Sequence, residues 1–186
     1  MVQSLTDTIL MAMVRDGKIE KLAVLFERHH VKLYNFFLRL TWNQGVSEDL
    51  VQEVFFRILK YRNTYRAESK FTTWLYQIAR NTHIDHLRKV KEELPMEEQW
   101  VVAVSSESTP EEEVEQDQDI QFIRKALARL PLKKREILLL SRFQDLKYKE
   151  IAELMGCQIG TVKATVHRAM KDLSKIYIEL SGGVSP

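Results

Sequence analysis

Between Leu22 and Leu40 the side chains Leu22, Leu25, Phe26, His29, Leu33, Phe36, Phe37 and Leu40 return every third or fourth residue, so they fall on one stripe of a helix. The same spacing recurs through most of the chain. No stretch alternates with the period of a strand, and 186 residues contain only 6 Gly and 4 Pro to break helices. The chain therefore reads as all-α. The first helix is expected over 18–41, ending at the turn signal Asn43-Gln44-Gly45. Ser47 then suits the N-cap of a helix over 48–61, with Glu48 and Asp49 in its first turn and Val46 and Val51 closing a staple. A polar, basic and aromatic stretch, Tyr61 to Glu68, precedes Ser69, which caps a third helix over 70–89 carrying Phe71, Trp74, Leu75, Ile78 and Thr82. Towards the C-terminus come a helix over 118–130, a second opened by Pro131 and running through Ile137, Leu138, Leu140 and Phe143, and two more over 147–155 and 160–178.

Charge divides this helical chain. The net charge of +2 averages over blocks of opposite sign. Residues 57–91 carry nine basic side chains against Glu68 and Asp85; residues 92–119 carry eleven acidic ones and no Lys or Arg; residues 120–186 return to thirteen basic against six acidic. Two basic blocks around an acidic one suggest two polyanion-binding modules on a spacer. The spacer also holds Pro95, Pro110 and the run Ser105 to Thr109, which is linker composition, with an apolar island at Trp100–Val104 that could dock on a domain. The expected organisation is two small helical domains, 1–91 and 118–180, joined by a flexible acidic linker over 92–117 and followed by a tail over 181–186. The linker would let the two modules adjust their separation, and its charge would discourage nonspecific DNA binding. Cys157 is the only cysteine, so no intramolecular disulfide and no cysteine-rich zinc cluster can form, and a reducing cytosol fits best. No apolar run approaches the roughly 20 residues of a membrane span, and Met1–Arg15 is too polar for a signal peptide. The reading is of a cytoplasmic protein without direct membrane insertion, metal or cofactor.

The most specific local motif runs from Tyr148 to His167 and fits a helix-turn-helix position by position. Ala152 is small where two helices would cross, Gly156 can take the left-handed turn conformation, and Val162 with Ile151 would pin the second helix on the first. That second helix presents Thr161, Lys163, Ala164, Thr165, His167, Arg168 and Lys171, groups able to reach base edges and phosphates in a major groove.

With this motif in place, the order of motifs over about residues 5–178 resembles a sigma factor of the extracytoplasmic-function (ECF) type. Asp49-Leu-Val-Gln-Glu-Val-Phe-Phe56 resembles the region 2.2 helix, Phe71-Thr-Thr-Trp-Leu-Tyr-Gln-Ile-Ala-Arg-Asn-Thr82 resembles regions 2.3–2.4, and Ile159-Gly-Thr-Val-Lys163 opens the region 4 recognition helix. The resemblance implies a region 2 bundle that binds the clamp helices of core RNA polymerase and the promoter −10 element, and a region 4 module that binds the −35 element. It also implies a stress or envelope regulon and an anti-sigma factor, membrane-anchored or soluble, that holds the factor inactive. By that resemblance the polar face Asp49, Gln52 and Glu53 contacts polymerase, while Val51, Val54, Phe55 and Ile58 read as core. Asn81 would line a pocket for a base flipped from the −10 element, with Tyr65 stacking on the strand and Arg62, Arg66, Lys70, Arg80 and Arg88 tracking phosphates. Trp74 shares the stripe of Phe71 and Ile78 and reads as core. The sequence departs from the family pattern at Ala67, where glycine is usual, at Lys147, where Ser or Thr is usual, and at Thr165 and Met170, where arginine is frequent.

Two other classes fit less well. A response regulator shares the helix-turn-helix but needs a strand–helix receiver with an acidic pocket, and residues 1–90 have neither. For an enzyme the best seed is His83-Ile-Asp85-His86, but no HExxH motif or glycine-rich phosphate loop accompanies it, and these histidines read as surface groups facing phosphate. The chain is read as a non-enzyme. A pure interaction protein would differ from all of these in giving core polymerase no promoter activity.

Overall fold

The computed structural model describes residues 5–93, 118–144 and 146–182. They form eight α-helices with no strand among the described residues: α1 (Asp7–Arg15), α2 (Leu22–Thr41), α3 (Gln44–Lys60), α4 (Phe71–Glu93), α5 (Gln118–Arg129), α6 (Leu132–Phe143), α7 (Tyr148–Met155) and α8 (Ile159–Leu180). The chain divides into two compact units, one of residues 1–37 with 44–92 and the other of 38–43 with 93–186. Nearly all of the expected linker, with its island at Trp100–Val104, and most of the tail lie outside the described residues.

In the first unit the stripe expected on α2 is realised, with Leu25, Leu33, Phe36 and Phe37 fully buried. Leu50, Val51, Val54, Phe55 and Ile58 of α3 and Phe71, Leu75, Tyr76 and Ala79 of α4 are buried as well, and the Phe36 ring lies 5.4 Å from that of Tyr76. Each buried Val, Leu, Ile or Phe among them stabilises the fold by roughly 1.5–3 kcal/mol relative to its exposed state. The sequence pattern did not reveal α1, whose Leu10, Met11 and Val14 add a further layer to this core. Thr6 caps it, its hydroxyl accepting from the Ile9 amide at 3.4 Å. Asp7 then ties it to α2: Arg28 donates to one carboxylate oxygen at 2.7 Å and His29 lies 2.7 Å from the other. Burial would raise the Asp7 pKa, but the hydrogen bonds from Arg28 and His29 and their charge outweigh it and hold the carboxyl below its usual value.

The helix starts of this unit differ from those expected. The turn after α2 is made by Trp42, at φ +54°, so α3 begins at Gln44 and Gly45 is helical. Ser47, expected as the cap, lies inside the first turn of α3 and is fully buried, so a small side chain is needed there for packing. Likewise α4 starts at Phe71, which makes Lys70 and not Ser69 its flanking residue; the Lys70 carbonyl accepts from the Trp74 amide at 3.3 Å.

In the second unit α5, α6 and α7 each pack on α8. Ile137, Leu138, Leu139 and Leu140 of α6 and Val162, Val166 and Ala169 of α8 are buried at its centre. Pro131 sits one residue outside α6, at ψ 137°, where its carbonyl accepts from the Lys134 and Arg135 amides; a cap position uses this carbonyl and needs no N–H. Arg135 turns back to donate to the carbonyls of Ala128 and Leu130 at 2.6 and 3.2 Å, satisfying the end of α5. Tyr177 of α8 donates to Asp119 of α5 at 2.8 Å, and Lys134 of α6 pairs with Asp172 of α8 at 2.6 Å.

Two expectations follow. Asp7→Asn removes the charge that holds α1 and is expected to lower stability by about 1 kcal/mol in chemical denaturation at pH 7. Because the folded-state pKa of Asp7 is depressed, this contribution is full above the ordinary carboxylate pKa and is lost as pH falls through the lower folded value. The gap between the two proteins should thus narrow below about pH 4. Gly156→Ala would place Cβ in open space but at φ +61°, so the penalty is conformational and about 1–2 kcal/mol in urea unfolding.

Candidate nucleic-acid interface

The helix-turn-helix turn is built by backbone groups. Gly156 adopts φ +61°, the Cys157 amide donates to the Ala152 carbonyl at 3.0 Å and the Gly156 amide to that of Glu153 at 3.3 Å, which together close a Schellman motif at the end of α7. At the other end of α7 the Lys147 amide donates to the Glu150 carboxylate at 2.8 Å, so the lysine that replaces the usual Ser or Thr still has its amide satisfied. Ile151 and Ala152 of α7 and Val162 and Val166 of α8 are buried, which fixes the rotation of α8 about its axis. Its opposite side carries the seven residues read from the sequence: Thr161, Lys163, His167, Arg168 and Lys171 are exposed, Ala164 and Thr165 half-buried. Asp172 on the flank is tied to Lys134, whose hydrogen bond lowers its pKa, so its negative charge is locally matched.

In the first unit Asn81 is exposed on α4, one turn beyond the exposed Gln77, while Arg80 is half-buried and Arg88 exposed. Arg66 and Lys70 are exposed on the loop that precedes α4. Arg62 is half-buried and folds back, donating to the Leu59 carbonyl at 2.8 Å, so it caps the end of α3. Tyr65 requires a correction. It is only 1% exposed, its ring lies 5.1 Å from that of Trp74 and 6.3 Å from that of Phe71, and its hydroxyl donates to the Ser69 carbonyl at 3.0 Å. Burial raises its pKa. A base cannot stack on a ring packed in this way. The exposed ring of the loop is that of Tyr61, with the Lys60 ammonium 5.5 Å from its centre, and Trp74 is half-buried. His83 is also buried, at 1% exposure, so it is not the surface group expected, and it does not share an exposed face with His86. Among the described residues no group of three His, Cys, Asp or Glu side chains could hold a metal ion.

The third surface is on α3. Asp49 and Gln52 are exposed, and Val51, Val54, Phe55 and Ile58 are buried as expected. Glu53 is half-buried and engaged: Arg57 donates to it at 2.6 Å and to Asp85 of α4 at 2.7 Å, so one guanidinium bridges the two helices. Two features of this face escaped the sequence pattern. Phe56, one turn beyond Gln52, is 61% exposed. Glu48, Val51 and Gln52 also border a groove between α2 and α3 lined by Phe26, His30, Val31 and Tyr34. The pattern of α3 marks Phe56 as off the core stripe, and that offset was the available signal.

These surfaces fall within two matches to known families. Residues 25–93 match sigma-70 region 2, and residues 121–173 match sigma-70 region 4. The chain is 29% identical over 171 residues to the ECF RNA polymerase sigma factor SigW of Bacillus subtilis, covering 87% of this chain and 91% of that one. The chain belongs to the ECF sigma factors of the sigma-70 family. Another relative is the ECF RNA polymerase sigma-E factor of Escherichia coli, 29% identical over 180 residues and covering 91% of this chain and 93% of that one. Among solved structures, the sigma factor RpoE of Bartonella quintana, in complex with the anti-sigma factor NepR, superposes with a TM-score of 0.66 at 29% identity, covering 87% of this chain and 96% of that one. CnrH, in complex with the cytosolic domain of CnrY, shares the fold with a TM-score of 0.68 at 20% identity, covering 91% of this chain and 96% of that one. In this sigma factor, region 2 takes in α2 from Leu25 with α3 and α4, and region 4 spans most of α5 to α8; α1 lies outside both matches. No helix among the described residues is long and apolar enough to cross a membrane.

Removing a cation from the exposed side of α8 should weaken duplex binding through phosphate. Arg168→Ala is expected to reduce the salt slope of duplex affinity by about one and the affinity itself by about tenfold, read by fluorescence anisotropy across a salt series.

Proposed function

We propose that this ECF sigma factor binds core RNA polymerase through α3, reads the −35 element with α8, holds the −10 element with α4 and the loop before it, and thereby opens promoters of a stress or envelope regulon. The observation that carries this reading is the pairing, in one chain, of a basic recognition helix in region 4 with an exposed Asn81 among cations in region 2. Asn offers both a donor and an acceptor to an unpaired base edge, and capture of that base offsets part of an unstacking cost of a few kcal/mol. Arg66, Lys70 and Arg88 supply the phosphate contacts, Arg80 flanks Asn81, and Tyr61 supplies the stacking surface. Arg62 acts by closing the end of α3.

Asp49 and Gln52 with Phe56 make the polymerase surface, an apolar centre with a polar rim, and Glu53 joins it through its bridge to Arg57. The chemistry is that of a transcription initiation factor working in the cytoplasm without catalysis of its own. An anti-sigma factor holds it inactive by covering these polymerase and DNA surfaces, as the complexes of CnrH with CnrY and of RpoE with NepR suggest. The acidic segment 92–117 serves as a linker between the domains 1–91 and 118–180.

The test is transcription in vitro: the purified chain with core polymerase should select promoter fragments from genomic DNA of its source and initiate at them. Absence of any selected start would overturn the reading. On a selected promoter, Asn81→Ala is expected to reduce open-complex formation, read by permanganate reactivity, at least tenfold while changing closed-complex affinity less than about twofold. Equal losses in both assays would remove Asn81 from base capture.

A further inference from the structure

Of residues 61–70, which form the loop before α4, Tyr65 alone is buried. The backbone hydrogen bonds within the loop are short-range: the Thr64 amide donates to the Tyr61 carbonyl, that of Tyr65 to Arg62, and that of Ser69 to Arg66, and Arg62 ties the first turn to the end of α3. The far part of the loop is anchored by Tyr65. Its ring packs on Phe71 and Trp74 of α4 and its hydroxyl donates to the Ser69 carbonyl, so one side chain staples the loop across its far end. From the other side α1 packs against the 3-10 turn Arg62–Thr64. In the first turn of α1 Asp7 is clamped to Arg28 and His29, and the His29 ring lies 5.3 Å from that of Phe71. The first turn of α1 is thereby held by α2 and in turn holds the loop.

We infer that Tyr65 is a positioning residue for −10 recognition: its ring on Phe71 and Trp74 and its hydroxyl on the Ser69 carbonyl hold loop 61–70 where Arg66, Lys70 and Tyr61 can meet the single strand. The inference rests on the initiation-factor reading above. It assigns to a buried side chain a part in promoter opening without contact to DNA. A loop ordered in advance loses less entropy when it closes on a strand, so the effect belongs to the open complex and to discrimination within the −10 element.

The experiment uses the full chain with core polymerase and a promoter fragment selected by the wild-type holoenzyme. Tyr65→Phe keeps the ring and deletes the hydroxyl; Tyr65→Leu deletes the ring as well. Tyr65→Phe is expected to weaken holoenzyme binding to the single-stranded non-template −10 segment of that fragment by about five- to tenfold, the size of one lost hydrogen bond, and Tyr65→Leu by more. Both should also narrow its preference over the same strand with a substituted −10 base. Core polymerase affinity and duplex −35 binding should stay within about twofold. Variants indistinguishable from wild type on the −10 strand, or losing −35 and core affinity in parallel, would overturn the positioning role alone. If the wild-type holoenzyme selects no fragment, the initiation-factor reading fails and the inference fails with it.

Discussion

Short helices do not hold themselves together in water, and that limit governs both units. An isolated helix below about 12–15 residues is marginal, yet α1 has 9 residues, α7 has 8, and α5 and α6 have 12 each. Their helical state depends on burying one face against a longer partner. For α5, α6 and α7 the partner is α8; α1 adds Leu10, Met11 and Val14 to the first unit's core. Burial of one face also dictates what the other can do. Once Val162, Val166 and Ala169 are committed inward, Lys163, His167, Arg168 and Lys171 are committed outward, and a DNA-facing surface follows from core packing.

The charges on these outward faces are not left unbalanced. Asp85 receives Arg57 from α3 at 2.7 Å and lies 3.8 Å from Arg88, and Asp172 holds Lys134 beside the recognition surface. Asp85 thus faces two cations, the close Arg57 and the more distant, exposed Arg88, while Asp172 fixes Lys134. Arg57 has a second consequence. Its guanidinium joins Glu53, on the helix proposed to meet polymerase, to Asp85, on the helix proposed to meet the −10 strand. Partly sheltered, charge-assisted pairs of this kind hold two helices in register more firmly than exposed ones.

The buried Tyr65 and the exposed Tyr61 illustrate where pattern reading failed. Both lie in a polar, basic stretch, and residue type alone makes either a candidate for stacking on bases. The choice was made by the turn Arg62–Thr64, which rotates the chain so that Tyr65 points at Phe71 and Trp74 while Tyr61 stays outside. The same kind of error put Ser47 at a helix cap and His83 on the surface. In each case a polar residue was read by its usual preference, and the packing of neighbouring helices overrode it.

The sequence by itself determined the helical class, the stripes of α2, α3 and α4, the left-handed glycine at the turn of the helix-turn-helix and the residues on the outer side of α8. These follow from periodicity and local backbone sterics, which act over a few residues and are written in adjacent positions. Its motifs also identified the family. Only the tertiary structure decided that α1 belongs to the core of the first unit, that Tyr65 supports the loop and does not stack, that Glu53 is engaged by Arg57, and that Phe56 stands exposed. Several of these depend on contacts between residues far apart in the chain, such as Asp7 with Arg28 and Arg57 with Asp85, 21 and 28 positions apart, whose free energy is set by three-dimensional packing and leaves no period in the chain.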